Sequence, residues 1–86
     1  MEKVDLQKKM IEITNELFNL ALSDKDVSET LLSLGIDSIN FMMIIVHIEE
    51  CYKKNIDIDY TIANNFFTLR LSEFIDAVWE FISEDE

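Results

Sequence analysis

Leu6, Met10, Ile13, Leu17 and Leu20 recur at alternating steps of four and three residues, and Ile11 and Phe18 widen the stripe. That spacing is one face of an α-helix, and it predicts a helix from about Asp5 to Leu22. The run SDKDVSET, residues 23–30, breaks the pattern with polar, cap-prone residues and reads as loop. Leu31, Leu32 and Leu34 bring apolar weight back at the loop's end, where a short turn can pack down. Gly35, the only glycine, permits a backbone conformation that other residues resist, so a sharp change of direction is expected there. A second helix is predicted from Ser38 to about Tyr52. KKNIDIDYTIANN, residues 53–65, reads as loop followed by one short helix near Thr61 to Asn65. Thr68 is placed to cap a last helix in which Leu71, Phe74, Ile75, Val78 and Ile82 share a face. With no internal repeat and no linker, these elements predict an all-α fold. It is a small four-helix bundle, three main helices plus one short helix.

The second helix carries more than a core stripe. At about 100° per residue, Phe41, Ile44, Ile45, Ile48 and Tyr52 fall on one face. Ile39, Met42, Met43 and Val46 fall on roughly the opposite side, with Glu50 among them and Glu49 on the flank. A helix that is apolar all round can be central and fully buried. In a domain with so few helices, burial on both faces is hard to arrange, which favours an exposed docking patch. Methionine suits such a surface because its flexible, polarizable side chain adapts to differing partners. The patch begins beside Ser38.

Composition narrows the setting. The 86 residues predict one domain spanning 1–86, and 49% apolar content argues against disorder. The absence of proline suits helices rather than a turn-rich β fold. Eighteen acidic against seven basic side chains give a net charge of −11, so the chain should repel nucleic acid and anionic membranes and meet partners through their basic patches. Glu84-Asp85-Glu86 reads as a solvated tail. Cys51 is the only cysteine, so no intramolecular disulfide forms and nothing suggests a secretory framework. The N-terminus lacks an apolar signal core, and no stretch is long enough to span a bilayer. A cytoplasmic monomer is the expectation.

Catalytic chemistry finds little footing. His47 and Cys51 lie four residues apart on one helix face, but no third orienting group or oxyanion hole accompanies them, and two ligands fall short of a zinc site. Asp57, Asp59 and Thr61 mimic the opening of a calcium loop, yet Ile62 and Thr68 stand where the pattern wants glycine and glutamate. No glycine-rich phosphate loop, nucleophile elbow or basic aromatic patch is present. The expectation is a non-catalytic protein.

Leu34-Gly35-Ile36-Asp37-Ser38-Ile39 resembles the attachment motif of acyl carrier proteins and peptidyl carrier domains. The likeness extends over nearly the whole chain. It takes in the first amphipathic helix, the long loop, Ile48-Glu49-Glu50, Ile56, and Phe67-Thr68-Leu69. It implies an acyl-carrier type of bundle and 4′-phosphopantetheine joined covalently to Ser38. It also implies a phosphopantetheinyl transferase that draws on coenzyme A, an acyl- or aminoacyl-loading ligase, and downstream synthase enzymes. Asp37 then looks like the cap of the second helix, with capping by Ser38 left open. Partner contacts are expected at Asp37, Ile39, Met42, Met43, Val46, Glu49 and Glu50. Housekeeping fatty-acid carriers usually show Leu after the serine and several acids early in this helix; here Ile39, Asn40, Phe41, Met42 and Met43 follow. The chain therefore resembles stand-alone carriers of polyketide or nonribosomal-peptide pathways more closely. A housekeeping fatty-acid carrier is the alternative within the family. An acidic helical adaptor, in which Ser38 only caps, is the alternative outside it.

Overall fold

The computed structural model describes residues 2–58 and 65–83. Among them are three α-helices, α1 (Lys3–Phe18), α2 (Ser38–Tyr52) and α3 (Leu71–Ser83), with 3-10 turns at Asp24–Asp26, Leu32–Leu34 and Phe66–Thr68. The expected all-α bundle is what forms. Thr61–Asn64, most of the predicted short fourth helix, lie outside the described residues, as do Asp59 and the acidic tail; Asn65 is a turn residue.

α1 starts earlier and stops sooner than its stripe predicts. Glu2 caps it in a reciprocal box: the Glu2 backbone N–H donates to Asp5 Oδ2 at 3.0 Å, while the Glu2 side chain accepts from the third helical residue. At the other end Asn19 adopts the left-handed conformation, φ 54°, and its N–H returns to the Asn15 carbonyl. The Asn15 amide then holds both polar atoms of Leu22, accepting from its N–H at 2.9 Å and donating to its carbonyl at 3.1 Å. Leu20 and Leu22 thus pack against the core from a bent-back segment rather than from a further helical turn.

The three helices share one core. Leu6 and Met10 from α1, Ile44 and Ile48 from α2, and Phe74 and Val78 from α3 are fully buried. Thr14 is the buried polar residue, its hydroxyl donating to the Met10 carbonyl at 2.7 Å. Lys54, just past α2, donates its ammonium to the Ile82 carbonyl near the end of α3. Lys3 at the start of α1 pairs with Asp76 of α3. The first of these contacts brings the C-terminal ends of α2 and α3 together, and the second joins the start of α1 to the middle of α3.

The start of α3 departs from the expectation. The helix begins at Leu71, so Thr68 closes the preceding 3-10 turn, its hydroxyl donating to the Asn65 carbonyl at 3.2 Å. Arg70 occupies the position before the helix instead, and its N–H is accepted by Glu73 Oε1 at 2.9 Å. The competing pull comes from the long loop. Leu31 N–H donates to the Leu69 carbonyl, Leu71 N–H to that of Glu29 and Ser72 N–H to that of Val27, while the Arg70 guanidinium grips the Ser28 carbonyl. This ladder anchors the loop that leads to residue 38.

Candidate functional site

The turn before α2 is set by backbone geometry. Gly35 sits at φ 88°, in the left-handed region, and its N–H donates to the Leu32 carbonyl at 3.0 Å. Ile36 follows, fully buried, and its N–H reaches back to the Leu31 carbonyl at 2.9 Å. The buried Ile36 pins the chain to the core immediately before Asp37 and Ser38 emerge into solvent.

Asp37 caps α2. One carboxylate oxygen accepts from the Asn40 N–H at 2.8 Å, and the Asn40 side-chain oxygen accepts from the Asp37 N–H at 3.3 Å. The Asp37 carbonyl takes the Phe41 N–H, closing the first turn. Ser38 is the first helical residue. It is exposed, and its hydroxyl makes no hydrogen bond to any described residue. The N–H groups of Ser38 and Ile39 are likewise without a partner among the described residues, as the first donors of a helix are. A free hydroxyl, two free N–H groups and the positive end of a helix dipole therefore meet at one exposed point. Such a point can accept a covalent phosphodiester without breaking any contact within the fold.

Beyond Ser38, α2 shows two faces. Phe41, Ile44, Ile45 and Ile48 turn inward; Ile39, Met42, Met43 and Val46 are 71%, 55%, 43% and 48% exposed. With His47, the outer four line a shallow groove of about 350 Å³. No charged residue occurs from Ser38 to Ile48. Glu50, at the far end, is exposed. Glu49 is half-buried, and one of its oxygens accepts from the Ile56 N–H at 2.9 Å, so its carboxylate braces the loop after α2. Nothing in residue spacing reveals that bond, because Ile56 comes within reach only after the chain turns at Lys53, φ 53°.

Two aromatic contacts close the inner side near the serine. The Phe41 ring, one turn past Ser38, lies 5.4 Å from that of Phe66 and 4.7 Å from that of Phe74, centroid to centroid. Phe67, beside Phe66 and part of the stretch that carries the family likeness, is an exposed aromatic. His47 and Cys51 are both exposed. Among the described residues, no three His, Cys, Asp or Glu side chains gather to hold a metal ion, and no helix is long and apolar enough to cross a membrane.

Residues 8–65, which contain this site, match the family model described as phosphopantetheine attachment site. No curated protein and no solved structure matches the chain significantly.

Proposed function

The chain belongs to the phosphopantetheine attachment-site family, whose members carry 4′-phosphopantetheine covalently on a serine, and on that premise we propose that Ser38 is the serine that carries it here. Domains of this family are carriers without catalytic activity of their own, and they meet a phosphopantetheinyl transferase and partner enzymes. The observation that carries the assignment is the division of labour at the start of α2. Asp37 supplies the cap, which leaves the Ser38 hydroxyl exposed and without a structural task.

Other serines are committed differently. Ser33 and Ser83 donate their hydroxyls to the Thr30 and Trp79 carbonyls, and Ser23 accepts from the Lys25 N–H. Ser72 also lies in a first helical turn, but it is half-buried and its N–H is given to Val27. Ser28 lies in the loop, with no helix start beside it.

The arm, once bound, supplies a flexible tether whose terminal thiol holds acyl or aminoacyl groups as thioesters. This chain's own residues position that tether. Gly35 and Ile36 present Ser38 outward, and the free N–H groups of Ser38 and Ile39 would be open to its phosphodiester. Ile39, Met42, Met43 and Val46, with Asp37 and Glu50 at the two ends and Glu49 behind, form the surface on which loading and processing enzymes dock. An uncharged surface in so acidic a chain suits apolar partner contacts, since charge is depleted at the centres of protein interfaces. That preference supports a carrier of polyketide or nonribosomal-peptide type over a fatty-acid carrier.

Incubation with coenzyme A and a broad-specificity phosphopantetheinyl transferase, read by intact mass, tests the reading. The native chain should gain one arm. Ser38→Ala should gain none while keeping its helical circular dichroism. A mass gain in the alanine variant would overturn Ser38, and no gain in the native chain would return the molecule to the adaptor reading.

A further inference from the structure

We propose that the uncharged groove on the outer face of α2 is also the resting place of the arm and its acyl group between encounters, so that cargo and docking enzyme compete for one surface. The inference rests on Ser38 being the attachment residue.

Tether and path argue for it together. The groove starts at Ile39, the residue after the attachment point, and runs to Val46 and His47. From Ser38 to Val46 the helix advances about 12 Å, which an extended phosphopantetheine arm exceeds. An acyl group at its end therefore reaches every side chain of the groove. A tethered ligand also meets its site at a high effective concentration, so even a shallow apolar surface holds it for much of the time. Met42 and Met43 can adjust to cargo of differing shape. Charge does not oppose the contact, because the lining side chains are four aliphatic or thioether groups and one imidazole.

The other apolar destination, the bundle interior, is tightly packed among the described residues at the serine's end. Phe41 stands one turn from Ser38 with its ring packed against those of Phe66 and Phe74, and Ile36 in the preceding turn is fully buried. Opening a path there would pull the Phe41 ring away from those of Phe66 and Phe74 and disturb a close-packed core. Sliding along the outer face breaks nothing.

The experiment uses the full chain with methyl-labelled Ile, Val and Met. Its apo form, its holo form and a form carrying hexanoyl-phosphopantetheine, loaded by the transferase from hexanoyl-coenzyme A, are compared by methyl NMR. Intact mass first establishes loading; no mass gain would overturn both this inference and the Ser38 assignment. In the loaded protein, the Ile39, Met42, Met43 and Val46 signals should shift, more with hexanoyl than with the bare arm. Ile44, Ile48 and Val78 should stay in place. Shifts at those three core residues would mean that cargo enters the bundle. Signals unchanged beyond Ile39 would mean that the arm stays in solvent. Either result overturns the proposal although the mass gain stands. Met43→Glu, loaded to the same mass, should lose most of the hexanoyl-dependent shift at Val46, and full retention of that shift would also count against the groove.

Discussion

The two faces of α2 are built from nearly the same material and meet opposite fates. Phe41, Ile44, Ile45 and Ile48 are at most 4% exposed, whereas Ile39, Met42, Met43 and Val46 are at least 43% exposed. Side-chain hydrophobicity does not separate the two sets; neighbours do. α1 and α3 cover the inner face with Leu6, Met10, Phe74 and Val78, and no described element covers the outer one. An apolar side chain in a small bundle is thus a demand for a partner, and the fold meets it only on the inner face. The outer face leaves it to something that comes and goes.

The largest effect should come from breaking the inner face. Ile44→Ala removes a fully buried side chain from the middle of the core, and we expect a loss of about 2–5 kcal/mol in urea unfolding. Met42→Ala, two residues away on the outer face, should stay within about 0.5 kcal/mol. Comparable losses from the two variants would show that the outer face is also packed.

Asp37→Ala should follow in size, since it removes the cap on which both faces depend. About 1 kcal/mol is expected, from the Asn40 N–H left without its acceptor. Ser38→Ala should cost far less under the same conditions. A reversal of that order would make Ser38 the cap and remove the observation on which its assignment rests.

That pair also marks what sequence could reveal. The bounds of α2, the inner and outer stripes and the turn at Gly35 were all legible, because each depends on residues within a few positions of one another; the cap was left between Asp37 and Ser38, and the fold gives it to Asp37. Elements governed by distant parts of the chain were not. α1 ends at Phe18 because Asn15 captures Leu22, although the apolar spacing runs on to Leu20. Thr68 loses the start of α3 to the ladder between Glu29 and Leu71. Glu49, grouped by spacing with the outer face, spends one oxygen on Ile56. Phe67 was noted only as part of the family likeness; its exposure follows from its place in the 3-10 turn after residue 65, a local detail that no periodicity announces.

Met43→Glu sharpens the comparison with a smaller change in stability. On an exposed face it should stay within about 0.5 kcal/mol. A carboxylate at the centre of an apolar contact would be desolvated without a partner, so binding to the native pathway's enzymes should weaken markedly, read by titration of the holo-protein. Fatty-acid synthesis enzymes, whose basic patches seek acids early in this helix, should use the variant equally well or better. Unfolding of the variant would assign this side to the core, and unchanged native partners would remove the support for a specialised carrier.

The smallest effect lies where the inner stripe runs out, at Tyr52. This residue is only half-buried, a boundary case between the faces. Burial pushes its phenol above the ordinary value of 10.0, and the nearby charges of Cys51 and Asp5 push the same way, since each disfavours a phenolate beside it. The unfolded chain, lacking that environment, loses the Tyr52 proton first as pH rises. The contribution is therefore fully present below about pH 10 and is lost as pH climbs through the raised native value. Stability of the native chain sums over all its ionisable groups, so it would not isolate this one. The difference between native chain and Tyr52→Phe does, because the other groups are common to both. Urea midpoints should fall more steeply above about pH 10 in the native chain than in the variant. Parallel curves would show that Tyr52 titrates alike folded and unfolded, and would place it with the outer, solvent-facing residues of α2.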